Sequence, residues 1–483
     1  MKNKVMLLYP PGKLYQRSED RAQCNISESA TGAVHACNDL GYCAAVLLNK
    51  GYEVLLRDYQ TEGASMKDVV RDVKAFAPDM IALSTTNSSV PDDLAFLHRI
   101  CRLHPCICVV KGAVFYDMEP ELLNQLDLAA VSCLIGCEME FVIGALADCY
   151  LRGEGALADI ASIIYKEGEH FVKNEFLCGQ NDLDALPFPA RQLMKNELYV
   201  RPDTGEPMAT IQTGLGCPSR CIYCLTPLIS GTKVRKRDVE NIYKEIEECY
   251  TKYGIKNFFF KADTFTIDEA YATAVCNRII RSPLCGKIAF TVNSRVKPLS
   301  RALLAKLKQA GCFMIAVGFE SGNNETLKRI QKGTTVADNL RAAKLIKEAG
   351  IPLFGFFMIG FPWEDKRKIL QTERFIRKIN PDFIELHIAM PYYKTGLYEL
   401  CKKYGVLADS GFGHDYYTPN TTGTKYLSAA QVQQLKRRIL LGFYLRPEYV
   451  FKKMGAAVKQ PKVIGSYMRY GFSLLNKNLF RKQ

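Results

Sequence analysis

Short apolar runs recur along the chain, separated by longer stretches in which apolar residues return every three or four positions. The first pattern suits buried strands, the second helices with one apolar face. Val5-Met6-Leu7-Leu8 reads as a first strand, Cys43 to Leu48 as helix, and Glu53-Val54-Leu55-Leu56 as a second strand ending at Asp58. Helix 66–76, strand 80–84, helix 91–103, strand Ile107-Cys108-Val109-Val110, a short helix 119–125, strand Leu128-Ala129-Ala130-Val131 and helix 138–150 continue the series. Five strands alternating with helices predict an α/β, doubly wound parallel sheet (Rossmann-like) over residues 1–150. Its ligand would lie at the carboxyl ends of the strands. The loops there are Tyr9 to Thr31, Ser84-Thr85-Thr86-Asn87-Ser88, Lys111-Gly112-Ala113 and Leu134-Ile135-Gly136, rich in small and hydroxyl residues that let a large ligand approach.

Residues 151–207 read as a connector: a short helix, a hairpin of Ile163-Ile164-Tyr165 and Phe171-Val172 around Gly168, then polar loop to Pro187-Phe188-Pro189. From Met208 strand and helix alternate again, with strands at 208–213, 256–260, 288–292, 314–318, 353–359 and 382–388 and amphipathic stretches at 237–253, 299–310, 336–349 and 366–378. This predicts a partial, TIM-like (β/α)6 barrel over 208–405, which places its chemistry at the C-terminal ends of the strands. Polar residues cluster at those ends: Asp263, Thr264, Thr266, Asn293, Arg295, Glu320 and Ser321, with Gly360 after the fifth strand. Residues 406–483 read as a loop at 409–424, holding His414, Asp415, Tyr416 and Tyr417, followed by a basic helical region.

At 483 residues the chain exceeds one ordinary core, and its 48% apolar content excludes a disordered protein. No apolar run is long enough to span a membrane and no signal peptide is expected. The net charge of +14 is uneven: residues 1–200 carry 18 basic and 27 acidic groups, whereas 431–483 carry 12 basic groups against Glu448 alone. With Tyr449, Phe451, Tyr467, Tyr470, Phe472 and Phe480 among the lysines, this tail suits peripheral contact with an anionic membrane or a helical cap over the barrel. No recognised RNA module accompanies it, so a nucleic-acid partner is not expected.

Candidate chemistry centres on Gly214-Leu215-Gly216-Cys217-Pro218-Ser219-Arg220-Cys221-Ile222-Tyr223-Cys224, directly after the first barrel strand. Three thiolates spaced C-x3-C-x2-C can hold three irons of a [4Fe–4S] cluster, and with no fourth cysteine nearby one iron stays open. A zinc site would need a second pair or histidines at matching spacing, and none lies close. The other cysteines are scattered without the framework of a secreted scaffold, which fits a reducing cytoplasm where free thiols survive. Cys101, Cys106 and Cys108 read either as a second metal site or as small hydrophobes on a buried strand.

The cysteine motif, with aromatic Tyr223 before the third cysteine, resembles the signature of radical SAM enzymes. That resemblance implies a cluster on Cys217, Cys221 and Cys224, S-adenosylmethionine chelated to the open iron, and a 5′-deoxyadenosyl radical. It assigns cofactor contacts to Tyr223, to Glu320 and Ser321 in Val317-Gly318-Phe319-Glu320-Ser321-Gly322, to Asn293 and Arg295, and to Gly360 in Gly355 to Pro362. Lys261-Ala262-Asp263 replaces the usual Gly-Gly-Glu, with Asp263 in the acid's place. Pro391-Tyr392-Tyr393-Lys394-Thr395-Gly396-Leu397 departs from the Pro-Gly-Thr order of close relatives.

Gly41 to Leu47, Gly51-Tyr52-Glu53-Val54 and Leu186 to Arg191 are similar to stretches of cobalamin-type radical SAM enzymes. The likeness implies a cobalamin over Ser84, Thr85, Gly112 and Gly136. Lys111-Gly112 stands where a Gly-Gly pair is common, and Gly136-Cys137-Glu138-Met139-Glu140 where Gly-Glu-Gly-Glu is. No Asp-x-His-x-x-Gly motif offers a histidine to cobalt, and His35 and His98 are expected on helices. The function implied is methyl transfer to an unactivated carbon of a small molecule or lipid, with an electron donor such as flavodoxin or ferredoxin. Coupling or cyclisation of a lipid or tetrapyrrole-like substrate without cobalamin is the enzymatic alternative, and an iron–sulfur or cobalamin sensor the non-enzymatic one. No catalytic side chain is singled out.

Overall fold

In the computed structural model the described residues are 3–18, 25–26, 34–407, 423–451 and 453. The first apolar runs form β1 (Lys4–Tyr9), β2 (Glu53–Asp58), β3 (Met80–Ser84), β4 (Ile107–Lys111) and β5 (Cys133–Ile135). With them come α1 (Asn38–Asn49), α2 (Met66–Phe76), α3 (Val90–Leu103), the one-turn α4 (Pro120–Leu123) and α5 (Met139–Ala147), then a hairpin of β6 (Ile163–Glu167) and β7 (His170–Lys173). The sheet order is β2-β1-β3-β4-β5-β6-β7, parallel through β5 and antiparallel beyond. Val5 and Leu7 enter the core beneath α1 and α5, while Met6 and Leu8 enter the one beneath α2 and α3. Burial on both faces is why these strands are continuously apolar.

Three expectations are corrected here. Leu128 to Val131 forms a turn, with the Val131 N–H donating to the Leu128 carbonyl at 2.9 Å. Leu128 and Val131 pack into one core, which residues three apart on a strand cannot do, and pairing with β4 begins at Cys133. The hairpin assigned to the connector extends the first sheet instead. Cys137 and Cys178 form a disulfide across 6.1 Å between Cα atoms, so not every cysteine outside the cluster motif is a free thiol.

The second sheet has the order β15-β14-β13-β12-β11-β8, all parallel and, among the described residues, unclosed. Its strands are β8 (Met208–Gln212), β11 (Asn257–Lys261), β12 (Ala289–Ser294), β13 (Cys312–Glu320), β14 (Leu353–Ile359) and β15 (Phe383–Ile388). A two-residue ribbon of β9 (Gly214–Leu215) and β10 (Arg235–Lys236) flanks α6 (Thr226–Ile229). The outer helices are α7 (Val239–Tyr253), α8 (Glu269–Ile280), α9 (Arg301–Ala310), α10 (Asn324–Arg329), α11 (Val336–Glu348), α12 (Lys366–Ile379), α13 (Gly396–Lys403) and α14 (Ala429–Tyr444). Side chains at α7, α9, α11 and α12 begin these helices where the sequence offers Asp238, Ser300, Thr335 and Asp365 as caps. Phe258 and Phe260 of β11 pack outward against these helices, and Phe259 between them turns into the lumen.

Glu245 of α7 joins the two halves. Its side chain, 1% exposed, accepts from Arg191 at 2.8 Å and from Arg237 at 2.5 Å, each guanidinium 3% exposed. Arg191 also donates to the Thr210 carbonyl of β8, to which Asn38 of α1 donates at 3.1 Å. Among the described residues no helix is long and apolar enough to cross a membrane. His414 to Tyr417 and the tail aromatics from Tyr467 onward lie outside the described residues.

Removing one partner of a buried pair strands the others in low dielectric, at a cost of about 3–5 kcal/mol. Glu245→Gln should therefore lower the denaturation midpoint strongly. Glu248→Gln, which breaks the exposed Lys252–Glu248 pair, should shift it by less than about 1 kcal/mol in the same denaturant series.

Candidate active site

After β8 the chain turns at Gly216, whose φ of +89° and 2.1 Å clearance from a would-be Cβ to the Lys233 carbonyl admit only glycine. The Gly216 N–H donates to Asp263 at 2.6 Å, and the Thr226 hydroxyl donates to the other oxygen of that carboxylate at 3.0 Å. Cys217 N–H is held by the Gly231 carbonyl at 3.1 Å, and Ile222 N–H by the Ile330 carbonyl at 3.2 Å. The loop bearing Cys217, Cys221 and Cys224 is thus pinned on three sides. Burial pushes the Cys224 thiol up to about 11, so iron must displace its proton on binding.

Thiolates sharing one zinc ion at 2.3 Å lie within about 4 Å of one another. Among the described residues the one three-ligand group drawn within 4.8 Å is Cys101, Cys106 and Cys108, so Cys217, Cys221 and Cys224 stand wider. Wide spacing and three soft donors fit the corners of an iron–sulfur cube rather than a single ion.

Behind Cys221 lies a buried charged group. Glu320 ends β13 with φ of +63°, at a register shift between Gly318 and Glu320. A side chain other than glycine in that left-handed region is strained and persists only where its surroundings hold it. Here Lys332 holds it, donating to the carboxylate at 2.7 Å, with both side chains at most 8% exposed. Lys332 also donates to the Tyr223 hydroxyl at 3.4 Å, and Arg295 donates to the Lys332 carbonyl at 2.5 Å. Burial and the Glu320 charge raise Tyr223 well above an ordinary phenol, so it stays protonated. A Cβ on Gly318 would fall 2.5 Å from the Glu320 carboxylate and 3.0 Å from the Lys332 ammonium.

Strand alternation carries this group into a cavity of about 640 Å³ inside the barrel. Thr291 and Asn293 of β12, Met314, Ala316 and Gly318 of β13, Phe354, Phe356 and Met358 of β14, and Phe383, Glu385 and His387 of β15 are alternate residues that all face it. One end holds the three cysteines; at the other, Phe313 and Phe383 lie under the cations of Arg201 and Lys453. Burial pushes His387 down to about 3, leaving a neutral ring on the wall. Gln16, Ile26 and His35 of the first half line the same cavity.

Residues 211–376 match the radical SAM superfamily. This segment is a radical SAM domain. Such a domain makes the chain an enzyme working with a [4Fe–4S] cluster and S-adenosylmethionine. The chain is 28% identical over 415 residues to the uncharacterized methyltransferase PH0819 of Pyrococcus horikoshii, covering 86% of this chain and 88% of that one. It is 25% identical over 404 residues to the cytidylyl-2-hydroxyethylphosphonate methyltransferase of Streptomyces wedmorensis, covering 74% and 73%. In fold it is similar to the radical S-adenosylmethionine methyltransferase TsrM of Kitasatospora setae, solved with cobalamin and a [4Fe–4S] cluster bound, with a TM-score of 0.68 at 18% identity over 90% of this chain and 85% of that one.

The radical SAM domain gathers Tyr223, Asp263, Asn293, Arg295 and Glu320 with the three cysteines around one cavity. It does not bring in Ser321, whose hydroxyl lies 3.2 Å from that of Thr372 on α12, nor Gly360, whose N–H donates to Glu364 at 2.9 Å. Asp263 spends both oxygens on the cluster loop. Ser84 donates to Asp39 at 2.6 Å and Thr85 to Asp93 at 2.6 Å. The space beside Gly112 is taken by Thr85, and that beside Gly136 by Phe176 and Tyr116. The chain's own side chains thus pack against these four first-sheet positions. Arg17 fills the same end, paired with Asp93 at 2.6 Å.

Sequence reasoning missed Lys332, reached Gln16 only as part of the Tyr9 to Thr31 loop, and expected His35 on a helix. Lys332 has a visible signal, a lysine between two helices followed by Gly333, with left-handed Gln331 and Gly333 turning it inward. His35 is not helical as expected but precedes α1 and lies 4.8 Å from the Phe259 ring. Gln16 lines the cavity and has a buried amide nitrogen without a hydrogen-bond partner.

Asp263→Asn keeps the loop's size but weakens its charge-assisted clamp, and should lower iron retained per chain after anaerobic desalting more than twofold. Lys332→Met strands the Glu320 charge; affinity for S-adenosylmethionine, read by equilibrium dialysis, should fall about 10- to 100-fold. Glu364, fully buried, is pushed from 4.5 up to about 7 by desolvation. A carboxyl raised in the fold stabilises while protonated and loses that contribution as pH rises toward 7. Wild type should therefore lose about 3 kcal/mol relative to Glu364→Gln between pH 5 and 8 in paired thermal melts.

Proposed function

We propose that the chain is a cobalamin-dependent radical SAM C-methyltransferase acting on an unactivated carbon of a small molecule. The observation that carries this reading is the shared cavity, with the three cysteines on one wall and Gln16, Ile26 and His35 from the carboxyl edge of the first sheet on another. The methyltransferase relatives and the fold likeness to TsrM support it. The orphaned Gln16 amide offers a donor to a carboxamide-rich ligand over the barrel mouth. When bound, the cluster and S-adenosylmethionine supply a carbon-centred radical and cobalamin supplies a methyl group.

The chain's own residues bind and orient. Cys217, Cys221 and Cys224 would hold three irons. Glu320, held in place by Lys332, would accept from the amino or ribose groups of S-adenosylmethionine, and Asn293 and Arg295 line the same cavity. Phe354, Phe356, Phe383 and Met314 would make the wall below the mouth apolar and limit water there, protecting a radical from side reactions. A small one-electron donor of the flavodoxin or ferredoxin type is the expected partner.

The test is anaerobic reconstitution with iron, sulfide and hydroxocobalamin, followed by desalting, cobalt counting and incubation with S-adenosylmethionine and dithionite. One cobalt per chain and 5′-deoxyadenosine that disappears in Cys221→Ala are expected. Formation of 5′-deoxyadenosine by a chain that retains no cobalt would remove the methyl-transfer half of the proposal and favour coupling or cyclisation.

A further inference from the structure

A second sulfur cluster lies at the opposite end of the first sheet from the active site. Cys101 sits in the last turns of α3, and the His104-Pro105 turn leads to Cys106 and then Cys108 in β4. Residues two apart on an extended chain share a face, so Cys106 and Cys108 both look toward the helix that delivers Cys101. The three sulfurs lie within 4.8 Å of one another, with Cys101 and Cys108 at 3.1 Å. Cys108 is buried and the other two are partly exposed, so an ion can enter.

We propose that Cys101, Cys106 and Cys108 bind one zinc ion as a structural site. Three thiolates on one tetrahedral ion lie within about 4 Å of each other; this trio, all within 4.8 Å and with Cys101 and Cys108 at 3.1 Å, can reach that spacing by small side-chain rotations, whereas the cluster cysteines stand wider. A disulfide would use two of the sulfurs and leave the third, whereas a metal ion uses all three. Soft sulfur donors select zinc over magnesium or calcium. Binding replaces the thiol protons, which leave to solvent, and involves no oxidant. His98 stands one turn before Cys101 on the same face of α3, its Nδ1 buried and 3.4 Å from the Asp127 carboxylate. Neither ring nitrogen of His98 joins the 4.8 Å group of the three sulfurs, so the fourth tetrahedral position is left to a water molecule. The site would staple the end of α3 to the start of β4. At the amino ends of the strands it cannot touch substrate, so its role is to stabilise the sheet rather than to react.

Full-length Cys217→Ala/Cys221→Ala/Cys224→Ala protein, which leaves no cluster to confuse the count, should retain one zinc per chain by elemental mass spectrometry. Adding Cys106→Ser should reduce this more than tenfold. Cys106→Ser alone should lose zinc yet keep the iron content and 5′-deoxyadenosine formation of the wild type, which separates this site from the radical one. If Cys106→Ser fails to fold, cobalt(II) titrated into the zinc-stripped triple variant decides: an intense thiolate-to-cobalt band at one equivalent supports the site. Less than a tenth of a zinc per chain with no such band overturns it, as does a mass two hydrogens short that maps to a Cys101–Cys108 disulfide.

Discussion

Burying a charged group is costly unless it is paired and hydrogen-bonded, and Glu245 is paired with two arginines from different parts of the chain. Arg191 comes from the segment after the first sheet and Arg237 from the ribbon beside the cluster loop. Because both must converge on one α7 side chain, the first sheet has little choice of orientation over the barrel. The carboxyl edges of two separately built sheets are thereby turned toward one cavity, and the segment around Gln16 and His35 becomes part of its wall.

Within the barrel the same logic works on a smaller scale. Glu320 adopts a left-handed backbone that costs on the order of 1–3 kcal/mol, and its register shift re-aims the end of β13 into the lumen. Lys332, Tyr223 and Arg295 close around it from three other segments. The charge is therefore in place before any ligand arrives, and little reorganisation is needed on binding.

Much of this was legible in the sequence. Parallel strands buried on both faces leave continuous apolar runs, so the barrel strands stand within a few residues of where periodicity puts them, and polar residues at their ends mark the mouth. What escaped did so for physical reasons. Leu128 and Val131 are apolar because a turn also fills the core, which composition cannot tell from a strand. Lys332 is buried by two left-handed residues in a loop, and a lone lysine reads as surface. Ser321 looks like a ligand contact from its motif, but one residue of alternation sends it to the outer layer. Gly112 and Gly136 resemble a cradle in sequence, yet their missing side chains are occupied by Thr85, Phe176 and Tyr116.

An unclosed barrel leaves two edges, and β15 is one of them. Tyr444 of α14 accepts from the Ile384 N–H at 2.9 Å and donates to its carbonyl at 2.7 Å, while Tyr449 donates to the Asp382 carbonyl at 2.9 Å. Phenol hydroxyls thus take hydrogen-bonding positions that a seventh strand would have used. α14 and the segment after it therefore act as a chain terminator for this edge: they end a ladder that could otherwise recruit an extended segment of a neighbouring molecule, so pairing there is resisted by two tyrosines.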